Sequence, residues 1–474
     1  MTRFLDPLDS AFVLLENPGT SMNIGAIIEL ESHDEDPSAR FEEIAAVIAS
    51  RLHEIPVLTQ RIVRAPFDMT WPILVRDLRF DLARHVLRVA LPTPGSPSQL
   101  DAMVSEFLSR SLPANRPPWQ MLVIEGSEDG RAVLVVKMHH ALADGVSFAE
   151  TIANFFDISP DIRPPTERTD GLDEDPSVTT SLGLLREGAT RLRERPSRAL
   201  ESLTSWGSRF FEVVSALAKV VVVRGRRHVS ADQPSIFEAR LTSLNGAAGI
   251  EKTYLRTRIP LAEVKRAAKD LDASVTDFVL ATVGGALKRL IDERDEELVH
   301  DLIAFVPINV RSGSAADLGN QISGMLVALH TDVEDPQSRL RCVSRDSLTT
   351  VADQRERRAR IFQDVPRVLG PTLLSLGGKF ISTFDLFDHV PMANVMISSV
   401  PGPPIALWLA GRRVLSAAPY GPLAGSISLN ITVLGFEEYL EFGLLGCAQR
   451  IPDLDRLRTL INEESNSLIN SPTP

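Results

Sequence analysis

Cysteine is nearly missing from this 474-residue chain, which has only Cys342 and Cys447. They lie far apart with no CxxC or CxxH partner, which excludes a disulfide framework and a cysteine-based zinc site and fits a reducing, cytoplasmic compartment. Long apolar runs are missing too. Stretches such as "FVLATVGGAL" and "VVSALAKVVVV" reach about ten residues, against the ~20 needed to span a bilayer. The opening "MTRFLDPLDSAFVLLENPGT" interrupts any apolar core with acids and prolines, so no secretory signal is expected. Positive charge is in deficit: 50 Lys and Arg against 62 Asp and Glu give a net charge of −12. A nucleic-acid-reading surface would call for a basic face, so no nucleic-acid partner is expected.

Common chemical signatures are absent as well. There is no GxSxG for a serine nucleophile, no GxxxxGK[ST] or GxGxxG to cradle phosphate, and no HExxH.

What is present is ordinary globular material. The chain is too long for one core, and two domains of roughly 200 residues are the natural expectation. From 1 to 158, "NIGAIIEL" and "RAVLVVKMHH" read as strands and "ARFEEIAAVIASRLHEI" as a helix. Then "DISPDIRPPTERTDGLDEDPS" shifts to Pro, Asp and Glu and reads as an exposed linker. Within 159–234, Leu203, Trp206, Phe210, Val214, Leu217 and Val221 recur at helical spacing among arginines, including Arg191, Arg193, Arg224, Arg226 and Arg227. This basic amphipathic stretch reads as a crossover helix packed on the protein, with anionic lipid contact the alternative. From 235 to 474 a second α/β half follows, with "IEKTYLRTRIPL" and "DLIAFVPINVR" as strands. "LAEVKRAAKDL" and "VTDFVLATVGGALKRLIDE" read as helices, and "ISLNITVLGFEEYLEFGLLG" as a hairpin.

The stretch that concentrates chemistry is "VVKMHHALADGVSF", where His139 and His140 end an apolar strand and Asp144 and Gly145 follow. Adjacent strand residues point to opposite faces and cannot easily share an ion, so no metal site is expected. A general base remains: an imidazole titrates near working pH and can take a proton from an attacking hydroxyl. Asp144 and Gly145 would pin its loop before the next helix starts.

The sequence "HHALADG" resembles the HHxxxDG motif of acyl-CoA-dependent acyltransferases with the chloramphenicol acetyltransferase type of fold. "PLDSAFVLLENPGTSMNIGAI", "PPWQMLVIEG", "VPINVR", "GNQISGMLVAL", "NVMISSVPGPP" and "SLNITVLG" occur in order from end to end. Together they make the chain similar to the bacterial wax ester synthase/diacylglycerol acyltransferase family. The resemblance implies two chloramphenicol acetyltransferase-like α/β domains, each a mixed sheet with flanking helices, and an active-site tunnel at their interface. It implies His140 as catalytic base, Asp144 as the residue orienting the loop, and His139 in a supporting role. Gly145, Thr276, Asn320, Ser398 and Asn430 are the implied substrate-side residues.

The implied reaction passes a long-chain acyl group from acyl-CoA to diacylglycerol or a fatty alcohol, without an acyl-enzyme. Acyl-CoA is then a co-substrate, and no cofactor or metal is needed. A water-insoluble acceptor implies work in the cytoplasm, peripherally on the inner membrane or lipid droplets. Rival readings are a transferase of the same fold acting on another alcohol, such as a polyketide-derived diol, and a catalytically weak lipid-binding protein.

Some positions depart from the family pattern. Thr276 stands where the family has Asn before Asp277, and either donates to the oxyanion or caps its helix. Ser398 and Ser399 replace Thr-Asn, and "LPANRPPWQ" lacks the usual acid before the arginine while keeping Trp119. Pro401, Gly402 and Pro403 either stiffen a loop at the tunnel or end a strand. Asn320 and Asn430, polar residues inside apolar strands, each need a buried partner.

Overall fold

Alternating apolar residues in the segments read as strands do pair into sheets. The computed structural model describes residues 3–17, 19–32, 37–143, 145–164, 239–309, 322–357, 366, 369–379 and 391–471. Asp144, Asn320 and nearly all of the expected linker and basic crossover lie outside them.

Two six-stranded sheets, and a small three-stranded one of Arg3–Phe4, Ile73–Arg76 and Gln60–Val63, are formed by these residues. The first runs, in spatial order, Trp408–Leu409, Arg412–Tyr420, Asn23–Leu30, Ala132–His139, Trp119–Glu125 and Val86–Ala90. Its neighbours are antiparallel except the last pair. The second runs Ile322–Ala328, Ile303–Asn309, Val395–Val400, Leu429–Phe436, Tyr439–Cys447 and Lys252–Pro260. Val395–Val400 lies parallel to both of its neighbours, so this sheet is mixed as well. The architecture is thus the expected α/β pair of mixed sheets with flanking helices, of the chloramphenicol acetyltransferase type.

Period-two alternation sorts the faces. In the first sheet Ile24, Ala26, Ile28, Leu134 and Val136 pack with Ile44, Val47 and Ile48 of the helix Pro37–Arg51, and with Phe148 and Ile152 of the helix Gly145–Ala153. In the second, Val395, Ile397, Ile431 and Val433 pack on the helices Val275–Glu293 and Leu454–Asn470. On the remaining face of the first sheet, Ile27, Val133 and Val135 pack with Leu100, Val104 and Phe107 of the helix Pro97–Ser109 and with Tyr254, Leu445 and Cys447 of the second sheet. The interface between the sheets is therefore itself a buried layer.

Several shorter strands were not read from the sequence, and one longer strand crosses between the halves of the chain. Arg412–Tyr420, from the second half of the chain, lies beside Asn23–Leu30 in the first sheet. The boundaries 1–158 and 235–474 thus do not divide the two sheets cleanly. Tyr254 Oη donates to the Ala418 and Pro419 carbonyls at 3.2 and 3.3 Å, tying the second sheet to this strand. Tyr420 Oη donates to the Val136 carbonyl, and its ring lies over Gly25, where a Cβ would sit 2.6 Å from it. Only glycine leaves room for that ring.

Candidate active site

The strand Ala132–His139 is buried along its whole length, so its last residues are carried into the interior. His139 and His140 are both buried. The strand ends because the chain turns: Leu142 N–H donates to the His139 carbonyl at 3.0 Å, and Gly145 opens the following helix. His140 N–H donates to the Met22 carbonyl at 2.7 Å, which extends the ladder by one rung.

The two imidazoles are held differently. His139 Nδ1 accepts the Ala141 N–H at 3.0 Å, and its Nε2 lies 3.3 Å from Glu16 Oε2. Nδ1 is then the acceptor and Nε2 carries the proton. Glu16 also accepts the Met22 N–H at 3.2 Å. Burial works against its ionisation, but the hydrogen bonds from His139 and the Met22 N–H, with the charge of Lys252, hold it below the usual carboxylate range. Glu16, at the C-cap of the helix Pro7–Leu15, was not singled out in the sequence. Its signal there is faint: one acid closing an apolar helix. His140 packs face to face on Phe12 of that helix, ring centroids 4.4 Å apart at 30°.

On the interface side of the same strand, Lys137 is fully buried and donates to the Phe107 and Arg110 carbonyls at 2.6 and 2.8 Å. Burial first, then the charges of Lys252 and Arg110, push its pKa down to about 7. Asn23 lies directly opposite His139 across the antiparallel ladder.

The second sheet contributes a polar row. Asn430 is fully buried, donates Nδ2–H to the Pro422 carbonyl at 3.1 Å and accepts the Thr432 hydroxyl at 2.7 Å. The buried partner expected for Asn430 is thus present. Thr432 pairs with Ser398 on the adjacent strand, so Ser398, Thr432 and Asn430 share one face, opposite the helix-packed Ile397, Ile431 and Val433. Thr432 escaped the sequence reading because a threonine in a strand is unremarkable.

Thr276 is not the helix cap. Ser274 caps Val275–Glu293 in a reciprocal box with Asp277, while Thr276 sits half-buried in the first turn. Trp119 is a core residue: its Nε1–H donates to the Leu58 carbonyl and its ring stacks on His85. Gly402 allows a close approach, since a Cβ there would lie 2.0 Å from the Gly435 carbonyl oxygen.

Elsewhere Asp301, His330 and Asp332 bring one potential metal-ligand atom each within 4.8 Å of the others. The Asp301 carboxylate already accepts the His330 and Thr331 N–H groups, and His330 Nε2 lies 2.8 Å from Asp346. The cluster therefore reads as a turn-capping network.

Comparison with known proteins agrees from end to end. The model of the wax ester synthase/diacylglycerol acyltransferase catalytic domain matches residues 5–279, and that of the family's C-terminal domain matches 318–468. A probable diacylglycerol O-acyltransferase of Mycobacterium tuberculosis is 29% identical, over 98% of this chain and 95% of its own length. Among solved structures, the wax ester synthase/diacylglycerol acyltransferase of Marinobacter aquaeolei VT8 superposes with a TM-score of 0.66 at 23% identity, covering 98% of both chains. The starter condensation domain of rhizomide synthetase, in complex with C8-CoA, superposes at 0.54 with 13% identity, covering 100% of this chain and 96% of its own.

Proposed function

The chain belongs to the wax ester synthase/diacylglycerol acyltransferase family, and from that premise we propose that it moves a long-chain acyl group from acyl-CoA to diacylglycerol or a fatty alcohol. It is an acyltransferase. His140 is the general base. Its imidazole takes the proton of the acceptor hydroxyl as that oxygen attacks the thioester carbonyl. The tetrahedral oxyanion collapses, the C–S bond breaks, and the CoA sulfur leaves with the proton held on His140. No acyl-enzyme forms, and no metal or redox cofactor takes part.

The observation that carries this reading is the full commitment of the first of the tandem histidines. Both ring nitrogens of His139 are engaged, by the Ala141 N–H and by Glu16. A ring so committed serves best as a support for its neighbour. Acyl-CoA and the acceptor would enter a tunnel between the sheets, with Ser398, Thr432 and Asn430 as its polar lining on the second sheet. The coenzyme of the rhizomide synthetase complex supports a CoA-bearing donor on this fold.

No helix among the described residues is long and apolar enough to cross a membrane. An insoluble acceptor supports a peripheral place on the inner membrane or lipid droplets. Asp144 orients the motif loop in this reading; it lies outside the described residues.

The test is release of free CoA and formation of lipid ester by the purified protein given palmitoyl-CoA with diolein or with hexadecanol. Acceptor-dependent turnover is expected. No turnover with either acceptor contradicts the proposal.

A further inference from the structure

Acyl transfer through a tetrahedral oxyanion needs a hydrogen-bond donor for that oxygen. Several polar side chains of the second half are already engaged. Asp277 is an acceptor when ionised and is occupied by Ser274. Asn430 commits one of its two Nδ2–H groups to the Pro422 carbonyl and its Oδ1 to the Thr432 hydroxyl. Thr276 lies in a half-buried helical turn packed beside the second domain's helix core.

Asn23 is different. It is 4% exposed, and neither its Nδ2 nor its Oδ1 has a hydrogen-bond partner among the described residues. A buried carboxamide with both ends unsatisfied is a standing cost to the fold and calls for an explanation. Its register supplies one. Asn23 opposes His139, and the next rung is the His140 N–H on the Met22 carbonyl. That rung makes Met22 and His140 the hydrogen-bonded pair, so Asn23 and His139 form the pair whose side chains lie closer together. His139 cannot satisfy Asn23, because both of its nitrogens are engaged elsewhere.

On its other side, Gly25 pairs with Tyr420, where the strand Arg412–Tyr420 ends. The chain that follows, including Pro422, is held by Asn430 of the second sheet. Asn23 thus sits at the end of the first sheet, on the interface face, between the histidine motif and a loop anchored in the second.

We propose that Asn23 is a catalytic residue whose Nδ2–H donates, at the end of the sheet, to the thioester carbonyl oxygen as it becomes the tetrahedral oxyanion. This inference rests on the acyl-transfer reading above. The hydrogen bond strengthens as charge develops on the oxygen, so its worth appears in the transition state more than in ground-state binding. The substrate oxygen is then the partner that the fold itself does not provide for the carboxamide.

The experiment measures kcat, both KM values and thermal midpoint for wild type, Asn23→Leu, Asn23→Ala and His140→Ala, with palmitoyl-CoA and the better acceptor. Binding of a non-reactive S-alkyl-CoA thioether, which lacks the carbonyl, is measured alongside. Both Asn23 variants should lose ~10²–10³-fold in kcat, the range for one oxyanion donor. Both KM values and thioether affinity should stay within about threefold. Asn23→Leu should melt no lower than wild type, because it removes an unsatisfied buried polar group.

A kcat within about threefold of wild type in both variants overturns the inference, on the same kinetic reading. So does a loss confined to KM or to thioether affinity, which would make Asn23 a ground-state contact. A kcat loss that merely follows a lowered melting midpoint in both variants also overturns it. If wild type itself gives no turnover, the acyl-transfer reading fails and takes this inference with it. Wild-type turnover that collapses in His140→Ala but survives in both Asn23 variants marks failure of the Asn23 role alone.

Discussion

Glu16 and His139 are joined across 3.3 Å, carboxylate Oε2 to imidazole Nε2, with the Ala141 N–H closing the other side of the ring. This pair fixes the chain immediately before the proposed base, because the same carboxylate also holds the Met22 N–H, and Met22 accepts from His140.

Removing that carboxylate should loosen the motif. Glu16→Ala is expected to lose ~1–3 kcal/mol of stability, the cost of leaving buried donors unsatisfied, and to lower kcat; Glu16→Gln, which keeps an acceptor, should lose less of both. The pH dependence has a definite sign. The folded-state pKa of Glu16 lies below its usual value of 4.5. Its contribution is present above the unfolded pKa and is lost as pH falls through the folded one. Urea titrations of wild type and Glu16→Gln should therefore converge on acidification below that range. A gap that persists would contradict the assignment.

Lys137 gives a second pH signature. Its pKa falls from 10.5 to about 7 on folding. Between those limits the unfolded chain binds a proton that the folded chain does not, so stability rises with pH across the window. The difference in unfolding free energy between wild type and Lys137→Met should climb by up to ~1.4 kcal/mol per pH unit from about pH 7 to 9. A flat difference would show that the amine stays charged in the fold.

The buried Arg51–Asp157 pair makes a stability prediction. Arg51 Nη2 meets both Asp157 carboxylate oxygens at 2.8 Å, and Arg51 Nη1 donates to the Phe155 carbonyl at 2.7 Å. Arg51→Met should cost ~3–5 kcal/mol by leaving a buried carboxylate unpaired, and Arg51→Met with Asp157→Leu should recover part of that. Denaturant midpoints check it. A single mutant as stable as the double would refute the pairing argument.

Gly402→Ala tests the loop after the strand Val395–Val400. The added methyl would press on the Gly435 carbonyl at 2.0 Å, and a forced shift of this kind costs ~1–3 kcal/mol. If the loop also borders the reacting space, kcat should fall more than the melting midpoint explains.

Much of the fold was readable because its strands and helices keep clean periodicity. Asn23–Leu30, Ala132–His139 and the hairpin Leu429–Phe436 with Tyr439–Cys447 stand where alternation places them. Arg412–Tyr420 was not readable, because joining the first sheet depends on a long-range crossover that leaves no local mark. At the site, "HHALADG" announces itself by type and spacing. Glu16, Lys137 and Thr432 do not: their importance comes from burial and from partners on other elements. Asn23 is the extreme case, since what marks it is a lack of partners, which only three-dimensional packing reveals.

In the proposed mechanism His140, and not His139, moves the proton. Steady-state acyl transfer from palmitoyl-CoA by His140→Ala and His139→Ala, each matched to wild type by circular dichroism, decides between the two rings. A general base contributes ~10²–10⁴-fold, so His140→Ala should lose kcat on that scale. His139→Ala should lose less, together with stability. Undiminished turnover in His140→Ala, or the larger loss in His139→Ala, would show that the wrong imidazole has been assigned as the base.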